Sequence, residues 1–212
     1  MSDVTPLDTT HAEFAFTDAN RAEADRIIRK YPEGRQASAV MPLLDLAQRQ
    51  NDGWLSQPAI EYVAHFLSMP AIRVQEVATF YTMYNLKPVG RHHVQVCTSL
   101  SCALRGAQAV MDTCKRVLDI GVGQTTDDDL FTLSEVECLC ACVNAPMVQI
   151  DDDFYEDLSA ETMETILNEL RDGKTPAPGS RIGRRSSEPA GGLTTLRVSP
   201  SPAVKTKKGE GR

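Results

Sequence analysis

Six cysteines carry the chemistry this sequence offers, and five of them fall in two short runs, CTSLSC at residues 97–102 and CLCAC at 138–142. Cys97 and Cys102 are separated by four residues, Cys138 and Cys142 by three, and the two pairs by 35. Each pair directly follows a stretch that alternates like a β-strand. Loops at the ends of neighbouring strands can bring four sulfurs into one small volume while the strands keep those loops stiff. Four thiolates so arranged suit a 2Fe-2S cluster, in which each iron takes two cysteine ligands. A tetrahedral four-cysteine zinc site uses the same atoms and stands as the competing reading. A redox dithiol ranks below both, because the chain has no C-x-x-C and a Cys97–Cys102 disulfide would leave the second run unexplained.

The remaining candidates are quieter. Cys114 falls on the apolar stripe of a helical stretch, where a free cysteine packs as a small hydrophobe. His11, His65, His92 and His93 lack the Cys-x-His spacing of mixed Rieske ligation. No G-x-G-x-x-G follows a strand, so the sequence gives dinucleotide binding no support of its own. A helix expected to start near Ala103 would turn its positive end toward the sulfurs and favour an anionic centre.

The elements that must position the sulfurs can be read on either side of them. Residues 18–84 have a helical period with four segments, DANRAEADRIIRKY, SAVMPLLDLAQRQN with Ser38 as its cap, QPAIEYVAHFLSM capped by Ser56, and a fourth after Pro70. Ile72, Val77, Phe80, Tyr81 and Tyr84 read as the apolar side of the fourth, packed as helix–helix core. HHVQVC then alternates as a strand, and ALRGAQAVMDTCKRVLDI returns to helix with Leu104, Val110, Met111, Cys114, Val117 and Leu118 inward. LFTLSEVE and MVQIDDDFYEDL read as further strands, the latter a hairpin turning on Asp151–Asp153. SAETMETILNELRDG follows as a helix capped by Ser159 and Thr162 and ended by Gly173.

Charge and composition narrow the function classes. The net charge of −7 is uneven: residues 173–212 hold nine Lys or Arg against Glu188 and Glu210, a local +7 that leaves −14 on residues 1–172. An acidic body repels phosphates, which argues against nucleic acid as a partner. No run approaches the ~18 apolar residues of a spanning helix, so direct membrane insertion is not expected. Six cysteines in 212 residues are too few for a disulfide scaffold, and the first residues lack a signal-peptide pattern, which points to a reducing compartment. From residue 174 the chain is rich in Pro, Gly, Ser and charge and should be disordered unless a partner orders it.

Three stretches, ATFYTMYNLKPVGRHHVQVCTSLSC, EVECLCACVNAPMVQIDDDFYEDL and GRRSSEPAGGLTTL, resemble one family. It is the 24-kilodalton-type 2Fe-2S subunit of NADH:quinone oxidoreductase, respiratory complex I, and the likeness runs from about residue 18 to residue 196. The resemblance implies an α+β chain: a flexible start (1–17), an N-terminal four-helix region (18–88), a thioredoxin-like ferredoxin domain whose small mixed sheet is flanked by helices (89–173), and a basic tail, disordered or docked on a partner (174–212). It implies one 2Fe-2S cluster on Cys97, Cys102, Cys138 and Cys142. The family usually reads C-L-G-A-C in the second motif, which makes Cys140 a bystander at a glycine position. A cis peptide before Pro146 would suit the thioredoxin-like likeness.

The resemblance further implies a subunit of an enzyme, one that exchanges single electrons with FMN on a flavin-bearing, NADH-oxidising partner, beside other peripheral-arm subunits. FMN and NADH would both sit on that partner. The expected location is cytoplasmic, peripheral on the inner face of the bacterial plasma membrane, or the matrix side in a mitochondrion. Three other readings stay open: the small diaphorase subunit of an NAD-linked hydrogenase or formate dehydrogenase, a stand-alone ferredoxin, and a four-cysteine zinc module.

Overall fold

The computed structural model describes residues 14–185, 187–189, 191, 192 and 195. The expectations for residues 1–13 and for 196–212 lie outside the described residues. Among the described residues, packing divides the chain into two compact units, one of residues up to Val94 with Leu118–Ser134, the other of Gln95–Val117 with those from Glu135 onward.

In the first unit, helices α1 (Asp18–Ile28), α2 (Val40–Gln50), α3 (Gln57–Phe66) and α4 (Ala71–Phe80) follow one another. Thr17 caps α1 by accepting the Asn20 N–H, and Ser56 caps α3 by accepting that of Ala59, with Pro58 in its first turn. Ser38 does not cap α2. It lies within a 3-10 turn, Gln36–Ala39, that feeds the helix, and the cap position has no side-chain bond. Leu43, Leu44, Ala47, Ile60, Val63, Val74 and Ala78 build the core.

The inward face of α4 differs from the sequence reading. Val74 and Ala78, one turn apart, are buried, whereas Ile72 is 63% and Phe80 76% exposed. A step of two residues is about 200° around a helix, so a face defined by 74 and 78 turns 72 and 80 outward. Tyr84 reaches the core from the turn beyond the helix, its hydroxyl donating to the Met41 carbonyl at 2.9 Å.

Five strands form one sheet in the order β2-β1-β3-β4-β5, with β1 His92–Cys97, β2 Phe131–Val136, β3 Val148–Ile150, β4 Asp153–Glu156 and β5 Gly179–Ser180. β3 and β4 are antiparallel, Val148 opposite Tyr155 and Ile150 opposite Asp153, with Asp151 at φ +54° in the turn. The sheet is mixed, since β4 and β5 run parallel. Helices α1–α4 precede it in the chain, and three further helices fall between its strands.

The helix expected after the first cysteine run is two helices, α5 (Leu100–Leu104) and α6 (Ala107–Leu118). Gly106, at φ +102°, separates them, a conformation open to glycine and costly for other residues. Leu104 is therefore 77% exposed rather than inward, while Val110, Met111, Cys114 and Leu118 are buried. α7 (Ala160–Arg171) carries the expected capping box between Ser159 and Thr162 and ends before Gly173 at φ +74°. An Arg116–Glu164 ion pair at 2.7 Å and an Arg171 bond to the Val117 carbonyl at 2.8 Å tie α7 to α6.

The start of the tail packs within this unit. β5 pairs with β4, Tyr155 opposite Gly179 and Glu156 opposite Ser180, and Arg181 N–H donates to the Glu156 carbonyl at 3.0 Å. The Arg181 guanidinium lies 5.2 Å above the Tyr155 ring, and the Tyr155 hydroxyl donates to the Pro176 carbonyl. Polar composition points to disorder, but the backbone edge of β4 supplies partners that composition does not reveal.

Candidate metal centre

β1 delivers the first cysteine pair. Cys97 is its last residue, with its N–H 3.3 Å from the Met147 carbonyl. The chain then turns at Thr98 and Ser99 into α5, which carries Cys102 in its body, so no helix starting near Ala103 points at the sulfurs. Both residues are 2% exposed and pack with Ala107, Ala145 and Met147. The Ala145–Pro146 peptide is cis and leads into β3.

The second pair follows β2 and is exposed. Cys138 Sγ lies 3.3 Å from Cys142 Sγ, and the Cys140 N–H donates to Cys138 Sγ at 3.4 Å. Cys140 has φ +66°, the left-handed conformation that a glycine adopts without strain. Cys142–Asn144 form a 3-10 turn. Asn144 anchors it, its side chain donating to Glu156 Oε2 at 2.6 Å and its carbonyl accepting the Asp157 N–H at 2.7 Å.

Three bonds fasten the two loops side by side. Thr98 N–H donates to the Val136 carbonyl at 3.2 Å, the Thr98 hydroxyl to Glu135 Oε1 at 2.7 Å, and the Ser99 hydroxyl to Glu137 Oε2 at 3.1 Å. Sequence reasoning misses these four side chains. Their one signal is position, each standing within three residues of a cysteine at a strand end.

The two pairs influence one another electrostatically through Cys142, whose charge is felt at Cys102. Burial first, then the Cys97 thiol, pushes Cys102 up to about 11, and the Cys142 charge adds to the rise. Cys142 is raised by its bond to Cys138 and also senses Cys97, while the Ser101 hydroxyl opposes the rise. Cys138 is lowered, chiefly by the Cys140 N–H and then by Cys142. Cys114 stands apart in function: it is fully buried on α6, and burial pushes its thiol up to about 12.

Among the described residues, no three His, Cys, Asp or Glu side chains converge as ligands of a single ion would. The thiols come instead as a buried pair and an exposed pair. A donor set of four thiols, two from each strand-end loop, fits a two-iron centre that takes two cysteines per iron.

The profile of the thioredoxin-like 2Fe-2S ferredoxin family matches residues 24–171. The chain belongs to that family. Within it, the chain is 57% identical over 165 residues to a subunit of the NADH-quinone oxidoreductase of Rickettsia bellii (strain RML369-C), covering 78% of this chain and 99% of the relative. It is also 47% identical over 186 residues to NADH dehydrogenase (ubiquinone) flavoprotein 2, mitochondrial, of Dictyostelium discoideum, covering 88% of this chain and 75% of that one. A crystal structure of an NAD+-reducing NiFe-hydrogenase in the air-oxidized state superposes with a TM-score of 0.56 at 18% identity, over 64% of this chain and 23% of that one. That likeness concerns the fold alone. Among the described residues of this ferredoxin-family chain, no helix is long and apolar enough to cross a membrane.

Proposed function

We propose that Cys97, Cys102, Cys138 and Cys142 hold the 2Fe-2S cluster of an electron-transfer subunit of NADH:quinone oxidoreductase, and that the chain exchanges single electrons with FMN on a flavin-bearing, NADH-oxidising partner. The observation that supports the ligand reading is the fastening, by Thr98 to Glu135 and Ser99 to Glu137, of two strand-end loops that each carry two of these cysteines. When bound, the cluster supplies one-electron redox chemistry.

The chain's own residues set the conditions for that chemistry. Ala107, Ala145 and Met147 keep water from Cys97 and Cys102, and such burial disfavours added negative charge, which holds a reduction potential down. Cys138 and Cys142 stand on the exposed side, where a partner's surface would meet them. The high identity to a quinone-linked oxidoreductase subunit, over nearly that protein's whole length, favours the respiratory reading over a hydrogenase or formate dehydrogenase diaphorase. The flavoprotein and the other peripheral-arm subunits are its proposed partners, and the inner face of the bacterial plasma membrane, reached through the complex, is its proposed location.

The ligand reading is tested in the assembled complex with Cys97→Ala and, in a Cys140→Gly background that removes a substitute thiol, with Cys138→Ser. Each should abolish this centre's electron paramagnetic resonance signal and its iron, while the flavoprotein still oxidises NADH with an artificial acceptor. An unchanged signal in either variant would overturn the assignment.

A further inference from the structure

The tail begins with an anchor that reaches the second cysteine turn. Ser180 Oγ accepts the N–H of Ile182 at 3.3 Å and of Arg184 at 3.1 Å, and donates to Asp157 Oδ2 at 2.6 Å. That local turn sends the Arg184 side chain back over the domain. Its Nη1 donates to the Val143 carbonyl at 3.1 Å and lies 3.5 Å from Asp157 Oδ1. Both side chains are shielded, at 20% exposure for Arg184 and 4% for Asp157.

Val143 directly follows Cys142, and its own side chain is 59% exposed. Apolar packing therefore does little to fix this residue. The turn is held through polar bonds: Arg184 on the Val143 carbonyl, the Asp157 N–H on the Asn144 carbonyl, and Glu156 on the Asn144 side chain. Two of the three depend on residues that Ser180 and Arg184 lock in place. The basic tail, expected to be disordered or docked on a partner, thus spends Arg184 on its own chain, whereas Arg185 is 86% exposed.

We infer that Arg184 is a positioning residue for the Cys142 turn, and that its charge raises the reduction potential of a cluster held there. This rests on the ligand reading above. Reduction adds one negative charge to the centre, and a shielded cation bonded to the residue next to a ligand stabilises that charge more than it would in water. Asp157 acts in the opposite sense from the same spot. Opposite signs from two residues in one ion pair separate a charge effect from mere loosening of the turn.

The test uses the full chain carrying its cluster, as wild type and as Arg184→Gln, Arg184→Lys and Asp157→Asn. Iron content and visible absorption come first, followed by redox titration read by electron paramagnetic resonance. Arg184→Gln should keep its iron and shift the reduction equilibrium at least threefold toward the oxidised state, about 30 mV at 59 mV per tenfold. Asp157→Asn should shift it the other way, and Arg184→Lys should stay near wild type. The resonance line of Arg184→Gln should also broaden as the turn loosens. Wild-type potentials in Arg184→Gln and Asp157→Asn, or shifts of the same sign in both, would overturn the inference. If Arg184→Gln fails to fold, a wild-type potential in Asp157→Asn decides against it and a raised one supports it. Wild-type protein without iron would instead sink the ligand reading.

Discussion

Cys138 Sγ and Cys142 Sγ stand 3.3 Å apart in non-bonded contact, both exposed and open to reagents. Cluster-free protein treated with a mild two-electron oxidant should therefore form a Cys138–Cys142 disulfide first, each thiol losing its proton and the pair giving two electrons to the oxidant. Peptide mapping by mass spectrometry would show the link, and cluster-loaded protein should resist it. Preferential linkage of Cys97 to Cys102 would contradict the exposure difference between the pairs.

Cys140 occupies a left-handed position at φ +66°. Cys140→Gly should raise thermal stability, since a non-glycine residue there costs ~1–2 kcal/mol, offset in part by the extra freedom of glycine in the unfolded chain. A net gain of up to ~1 kcal/mol corresponds to a melting shift of roughly 2–4 °C for a chain of this size. Cys140→Gly should also remove residual iron binding from a Cys142→Ser variant, because Cys140 is the nearest thiol able to replace the missing ligand. Equal iron in the single and double variants would show that Cys140 does not substitute.

Gly90 is a matter of space. A Cβ there would stand 2.8 Å and 2.9 Å from backbone atoms of Phe131, while the Gly90 N–H donates to Thr132 Oγ1 at 2.6 Å. Backbone cannot give way as a flexible side chain can, so Gly90→Ala should cost ~2–4 kcal/mol. Chemical denaturation would measure it, and a loss below ~0.5 kcal/mol would mean that the approach relaxes freely.

The buried thiol of Cys114 makes the fold sensitive to alkali. Burial raises it from the ordinary 9.0 to about 12, so the folded chain keeps a proton that the unfolded chain releases. This contribution to stability is full below the unfolded value and is lost as pH rises from about 9 toward about 12, by at most ~1.4 kcal/mol per pH unit. Melting temperatures taken from about pH 8 to about pH 11 should fall less steeply in Cys114→Ala than in wild type. Parallel curves would show that Cys114 does not titrate in that range.

Features written in local residue types are legible from the sequence. Ser159 with Thr162, Ser56 with Pro58, the hairpin at Asp151 and the placement of both cysteine runs after strands all follow from short-range chemistry. The phase of α4 is not legible, because its apolar residues cover more than one face and tertiary contacts choose Val74 and Ala78 over Ile72 and Phe80. The break at Gly106 hides inside a continuous helical period. The bonds of Thr98 to Glu135 and of Arg184 to Val143 join residues some forty positions apart, a separation that no local pattern encodes.

The anchoring of the Cys142 turn by Ser180 and Arg184 also imposes an order of events in the making of the protein. A ribosome releases Cys138 and Cys142 before it has joined the residues that brace them. A nascent chain that ends before residue 184 therefore lacks the Arg184 bond to the Val143 carbonyl. A chain cut before residue 180 would lack the β5 pairing with β4 and both residues that brace the Cys142 turn.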